Sequence, residues 1–385
     1  MKKFLFIVQG EGRGHLTQAI AMSQIIENAG HEVVAVMLGC NNTFSVPDFF
    51  KTQINKEIEY FNSPSLECNK KGKIDFIKSV VVAFKKIKLY FQSLRQINST
   101  IEKYQPDAII NFYDVLGGLH KLVYRSKVPM ACIGHHYLFL HSEFQFPEKQ
   151  FLNRLLLKLN TKLTAFGAEK RLALSFRSMP DEPENKICVV PPLIRKEIRY
   201  LKPEQKTFWL VYVNYTHLAN QVLDWHYKNP SIKLYCFWNH DFPEAEHVFD
   251  ESLTVHKIDG VKFLSKMAEC EALVTTSGFE SVCEAMYLDK PALMVPAHYE
   301  QTCNGLDATL SGAGITAESF ELSKLLDYLP QHQSVQEKFK SWYLRSDYLM
   351  VRHLEELTSI PKHKRNRLRG LDIFRNQQKR FPIPG

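Results

Sequence analysis

The chain lacks paired metal-binding cysteines: its eight Cys residues, at positions 40, 68, 132, 188, 236, 270, 283 and 303, form no C-x-x-C. That spacing excludes a zinc module and a disulfide-stapled secreted domain, and predicts reduced thiols in a cytoplasmic protein. No apolar run reaches the roughly 18 residues of a membrane-spanning helix. Met1-Lys2-Lys3 and the apolar Phe4 to Val8 imitate a signal peptide. The run stops at Gln9-Gly10-Glu11 with no small-residue cleavage site, so it reads as the first strand of the mature fold. Surplus charge is scarce outside one place. Of the net +8, eight Lys or Arg against one Asp between Pro361 and Gly385 supply +7. The body is therefore close to neutral, which excludes a general nucleic-acid-binding surface. No D-x-D motif occurs, and no Gly-Lys-Ser/Thr follows a glycine-rich loop, so a P-loop is excluded.

What is present is an ordinary globular composition, 45% hydrophobic and 23% charged, in a chain of 385 residues, long enough for two domains. Strand and helix signals alternate throughout, which predicts an α/β protein with two doubly wound, mostly parallel sheets. In the first half Phe4 to Val8, His31 to Leu38, Asp107 to Asn111, Pro129 to Ile133, Leu172 to Phe176 and Ile187 to Val190 read as strands. Leu16 to Asn28 and the basic Pro147 to Lys170 read as helices there. In the second half Phe208 to Val213, Ile232 to Trp238, Leu253 to Lys257, Leu273 to Thr275 and Ala292 to Val295 are the strands, and Leu322 to Glu356 the closing helices. The expected division is a domain at 1–190, a Pro- and Lys-rich linker at 191–206, a second domain at 207–322, closing helices at 323–360 and a basic tail at 361–385.

The loop Gln9-Gly10-Glu11-Gly12-Arg13-Gly14-His15 follows the first strand. Its G-x-G-x-G spacing is not the dinucleotide G-x-G-x-x-G, and the second strand ends without an acidic residue, which disfavours a nicotinamide cofactor. His15 at this corner suits general-base work, because an unperturbed imidazole titrates near neutrality; it is equally placed as a polar helix start. Asp114 follows the strand ending at Asn111, and strand ends on one side of a parallel sheet converge, so it can lie near the His15 loop. His135 and His136 follow the next strand. No third ligand at metal-site spacing accompanies them, which favours polar groups lining a pocket over a metal site.

From Glu271 to Asn304 a buried strand runs through Thr276, Ser277 and Gly278 into a helix. There Phe279, Val282, Cys283, Met286 and Tyr287 form an apolar stripe. The start of such a helix offers free N–H groups and a positive dipole end, Gly278 admits close approach, and Ser281 adds a hydroxyl, as a diphosphate requires. Glu284, one turn on, is placed to accept from ribose hydroxyls. Ser277-Gly278-Phe279-Glu280 is also an S-x-x-E capping box, which holds a helix end without any ligand.

This segment resembles the donor-binding stretch of the UDP-glycosyltransferases, whose pattern runs G-x-x-S-x-x-E, then G-x-P, a strand, P, then D/E-Q-x-x-N. Gly278, Ser281, Glu284, Pro291, Pro296, Glu300, Gln301 and Asn304 match in order and spacing. Thr276 stands where the family has a phosphate-contacting His, and Asp289-Lys290 where it has the Gly before the first Pro. The Gly12, Gly14 and His15 loop is similar to the N-terminal G-x-G-H of sugar-nucleotide glycosyltransferases. The resemblance implies a GT-B fold, two Rossmann-like domains facing a central cleft, and an inverting transfer from a UDP-sugar to a hydroxyl acceptor. It also implies His15 as base, Asp114 as the residue that orients it, Gly12, Gly14, His135 and His136 on the acceptor side, Thr276 to Ser281 around the diphosphate, Glu300 and Gln301 on the sugar, and no metal or other cofactor.

Two alternatives stay open at this point: a nucleotide-sugar epimerase of the same fold, and a UDP-sugar-binding protein without catalysis. The donor sugar and acceptor are not legible, and a lipid-linked acceptor is among the options. Lys70 to Arg95 is basic and amphipathic, either a solvated helix or, with the tail 361–385, a peripheral contact with anionic lipid on the cytoplasmic face of the inner membrane.

Overall fold

In a computed structural model, residues 1–41, 46–65, 76–213, 216–240 and 242–360 are described. The first sheet holds β1 (Lys3–Gln9), β2 (Glu32–Cys40), β3 (Ile58–Asn62), β4 (Ala108–Phe112), β5 (Met130–Gly134), β6 (Lys170–Leu174) and β7 (Ile187–Val190). Its order is β3-β2-β1-β4-β5-β6-β7, parallel throughout. The second holds β8 (Trp209–Tyr212), β9 (Leu234–Phe237), β10 (Glu246–Val248), β11 (Leu253–His256), β12 (Ala272–Thr275), β13 (Ala292–Met294) and β14 (Gly314–Thr316). Its order is β10-β11-β9-β8-β12-β13-β14, and only β10 runs antiparallel.

The apolar run at the start of the chain becomes a central strand because both its faces need cover. Phe4, Phe6 and Val8 enter one core, and Leu5 and Ile7 enter another on the opposite face. In β12 the same alternation sends Leu273 to one side and Ala272 with Val274 to the other. The first core does not stop at the linker. Leu193, Ile194 and Ile198 join it, and so do Phe279, Val282 and Met286 from the second half.

Three strands escaped the sequence reading. β3, β10 and β14 are three to five residues long, carry Glu or Gly, and lie at sheet edges, where pairing rather than composition defines them. The helix expected from Leu16 begins at Arg13, which draws His15 into its first turn. The helix expected over 147–170 is Phe151–Thr164, entered through Lys149 and Gln150 at φ 69° and 60°. Of the basic stretch 70–95, residues 70–75 lie outside the described residues. The remainder forms two helices, Phe76–Lys85 and Ile87–Tyr104, parted at Lys86. The last helices, Gln336–Tyr343 and Ser346–Thr358, pack back on the first sheet: Trp342 Nε1 donates to Ser175 O at 3.0 Å, and Lys170 pairs with Glu356.

The seven described cysteines are free thiols. No described helix is long and apolar enough to cross a membrane. The tail 361–385 lies outside the described residues.

Candidate active site

In a parallel sheet the loops after the strands' C-terminal ends line a crevice. Here the loops after β1, β4 and β5 meet those after β12 and β13. Gln18 Nε2, one turn into the helix Arg13–Asn28, donates across the crevice to Glu280 Oε1 at 2.5 Å. Glu280 also lies so close over Gly14 that a Cβ there would come within 2.5 Å of its Oε2, so a side chain at position 14 would push the carboxylate off its bond to Gln18. His136 Nε2 stands 3.0 Å from Glu300 Oε1, a second crossing. The crevice is shut by direct side-chain contact.

On the first-sheet side an aromatic group surrounds His15. The Tyr113 and His136 rings stack at 3.8 Å, and His15 lies 5.7 Å from Tyr113 and 5.5 Å from His136. Burial, helped by His136 and opposed by Glu300, pushes His15 down to about 3. Its buried Nδ1 has no hydrogen-bond partner. Burial alone would raise the Glu300 carboxyl, but His136, with His298 and His15, outweighs it and holds the group well below the ordinary carboxylate range. Tyr113 sits at φ 63°, where a bulky residue costs about 1–3 kcal/mol, and its hydroxyl is fixed by Thr161 Oγ1 at 2.9 Å.

Two residues expected on this side do other work. Asp114 caps the helix Val115–Val123, its Oδ1 accepting from Leu116 N–H at 2.8 Å, and burial raises it to about 6. No hydrogen bond or ion pair joins it to His15; Tyr113, one residue earlier, is what reaches the imidazole group. His135 points inward, not toward an acceptor pocket. Its Nδ1 donates to Leu174 O at 2.8 Å, its ring stacks on Phe279 at 4.2 Å, and burial pushes it down to about 4. The Phe279 side chain, packed on His135 and Phe176, is likewise core, so only its backbone faces the helix start.

On the second-sheet side the capping box does not form. Gly278 is the N-cap of the helix Phe279–Tyr287 and no side chain caps it. Ser277 stands outside at φ 61°, a left-handed conformation held in a buried turn with Thr276. The buried hydroxyls of Thr275 and Ser277 have no hydrogen-bond partner, an expensive state unless a ligand supplies one. Ser281 Oγ donates back to Gly278 O at 3.1 Å. From the helix Tyr299–Leu310, Asn304 Nδ2 reaches Ser277 O and Glu300 Oε1, both at 3.5 Å, and Gln301 Oε1 accepts from Ala297 N at 2.9 Å. Glu284 is already held: Arg195 of the linker donates Nε and Nη2 to its two oxygens, each at 2.6 Å.

Sequence reasoning missed Gln18, Tyr113, Glu280 and Arg195. Gln18 was within reach, three residues after His15 on one helix face. Arg195 carries no local signal, because only the fold brings the linker to Glu284. Among the described residues the group with metal-ligand chemistry is Asp181, Cys188 and His353, where Lys170 Nζ already sits 3.2 Å from His353 Nδ1.

Residues 2–331 match the family model described as glycosyl transferase family 1. No curated protein sequence matches. Among solved structures, Medicago truncatula UGT71G1 complexed with UDP-glucose aligns with a TM-score of 0.62 at 12% identity, over 93% of this chain and 98% of its own. Arabidopsis thaliana UGT89C1 complexed with quercetin gives 0.62 at 14%, over 93% and 100%. Acinetobacter baumannii MurG gives 0.55 at 16%, over 92% and 100%. At such identities the likeness is one of fold, and the fold is GT-B. With the family match running across most of its length, the chain belongs to glycosyl transferase family 1 and is a glycosyltransferase of GT-B architecture.

Proposed function

We propose that the protein moves a hexose-type sugar from a nucleoside diphosphate, UDP the best supported, to a hydroxyl acceptor with inversion at the anomeric carbon. The observation that carries the reading is the passage from β12 into Phe279–Tyr287, where the hydroxyls of Thr275, the last residue of the strand, and Ser277, in the turn, are buried without partners and the helix start has no side-chain cap. A diphosphate supplies acceptors for both hydroxyls and for the helix N–H groups. The motif Gly278, Ser281, Glu284, Glu300, Gln301 and Asn304 supports a nucleotide sugar, and so does the UDP-glucose bound by the Medicago structure.

In this reaction the acceptor hydroxyl gives its proton to His15 while its oxygen attacks the anomeric carbon. The bond from that carbon to the diphosphate breaks, and its electron pair leaves with the diphosphate. N–H groups from Gly278 onward, with Thr276 and Ser281, take up the departing charge. The helix terminus thereby performs the work that a cation does in metal-dependent transferases. Glu300 and Gln301 hold sugar hydroxyls, and Glu284 the ribose once Arg195 yields one of its oxygens. A donor must first part Glu280 from Gly14 and Gln18.

A thermal-shift panel of UDP, TDP, GDP and NAD tests the donor. UDP should raise Tm most; stabilisation by NAD alone would contradict the reading. Incubation with a UDP-sugar and a hydroxyl acceptor panel then tests transfer.

A further inference from the structure

Helix Phe151–Thr164 carries two parallel stripes on its outer side. Phe151, Leu155, Leu159 and Leu163 recur every fourth residue with Leu152 beside them, and all five are exposed, Phe151 by 77%, Leu152 by 64% and Leu155 by 51%. Arg154, Lys158 and Lys162 recur with the same spacing on the neighbouring stripe, and the helix contains no Asp or Glu. Residues four apart stay on one side of a helix, and a contiguous exposed apolar face marks an interaction site. The inner side of this helix belongs to the crevice: Thr161 and Asn160 bond to the Tyr113 hydroxyl, and Tyr113 stacks on His136.

A second exposed patch lies across the helix Val115–Val123, which packs against both Phe151–Thr164 and Ile87–Tyr104. Phe84, Ile87 and Phe91 are exposed among Lys85, Lys86 and Lys88, and no acidic residue occurs from 76 to 101. Ser93 Oγ accepts from Asn62 N at the C-terminal end of β3, which sets the start of Ile87–Tyr104 beyond the strand ends, as the start of Phe151–Thr164 also is.

We propose that Phe151–Thr164, with the junction of Phe76–Lys85 and Ile87–Tyr104, seats the first-sheet half on an anionic lipid bilayer, with the apolar side chains at the acyl boundary and the Lys and Arg side chains among the headgroup phosphates. Charge decides the occupant. A second copy on this face would set cation against cation, whereas an anionic bilayer answers both stripes at once. The docking does not depend on which nucleotide the second sheet binds.

The test is flotation of the full chain with vesicles of phosphatidylcholine alone and with about a third phosphatidylglycerol. The wild-type chain should float with the anionic vesicles and be released by salt. The double variant Phe151→Ser, Leu155→Ser and, separately, Lys162→Glu should each lose at least tenfold in bound fraction, with thermal melts unchanged because these side chains are exposed. Wild-type protein that stays with the pellet, or variants that float as well as wild type, overturn the proposal. So does a wild-type dimer that the double variant converts to monomer, since the face then serves a second copy.

Discussion

Glu300 Oε1 and His136 Nε2, 3.0 Å apart, join the helix after β13 to the loop after β5 and so bridge the two sheets. The Glu300 carboxyl titrates below its ordinary value in the folded protein, opposed by burial and won by His136. A depressed carboxyl contributes stability above its unfolded pKa of about 4.3 and loses it as pH falls through the folded value. Urea unfolding of wild type and His136→Ala should therefore differ more at neutral pH than near pH 3. An equal gap at both would place the pair outside the stability of the closed state.

His15 makes the same demand on acid, over a higher pH range. Its lowered value, about 3, keeps it neutral when folded, so folding loses stability as pH drops from about 6.5 toward 3. Burial at about 3 also makes this imidazole a weak base, so proton transfer to His15 needs the crevice parted and its burial relieved. His15→Ala should lower turnover roughly 10²–10⁴-fold with nucleotide binding nearly intact. Equal turnover in the variant would remove His15 from the mechanism.

The pairing of Arg195 with Glu284 sets a different balance between stability and binding. Arg195→Ala leaves Glu284 buried without its partner and should destabilise the fold by about 3 kcal/mol. Glu284→Gln should raise donor KM, because the ribose loses its carboxylate. Ser281→Ala should raise donor KM with turnover at saturation nearly unchanged. Donor KM values equal to wild type in both would move the ribose and diphosphate elsewhere.

Gly14 and Glu280 report on closure. A Cβ at position 14 would meet Glu280 Oε2 at 2.5 Å, so Gly14→Ala should favour a parted crevice and lower stability, and adding Glu280→Ala should restore much of the loss. Additive losses in the double variant would show that the two positions do not touch in solution.

Much of the fold was legible because central parallel strands are written as uninterrupted apolar runs. Phe4 to Val8 and Ala272 to Thr275 need cover on both faces and have few alternatives. The edge strands β3, β10 and β14 were not legible, since hydrogen bonds to a neighbour, rather than side-chain pattern, define them. At the site, the turn from Thr276 to Gly278 was found from its small residues. Asp114 was misplaced because convergence of strand ends locates a residue only to within a loop, while local chemistry drew its carboxylate to Leu116 N–H. Arg195 could not be found at all, being 89 residues from Glu284 in sequence.

The central claim is that a nucleoside diphosphate docks where the chain turns into the helix Phe279–Tyr287. A crystal structure with UDP bound tests it most directly. The account predicts diphosphate oxygens within hydrogen-bond distance of Ser277 Oγ and the N–H groups from Gly278 to Glu280, with Glu280 drawn away from Gly14. Diphosphate density anywhere else in the molecule, with that turn unchanged, would contradict it.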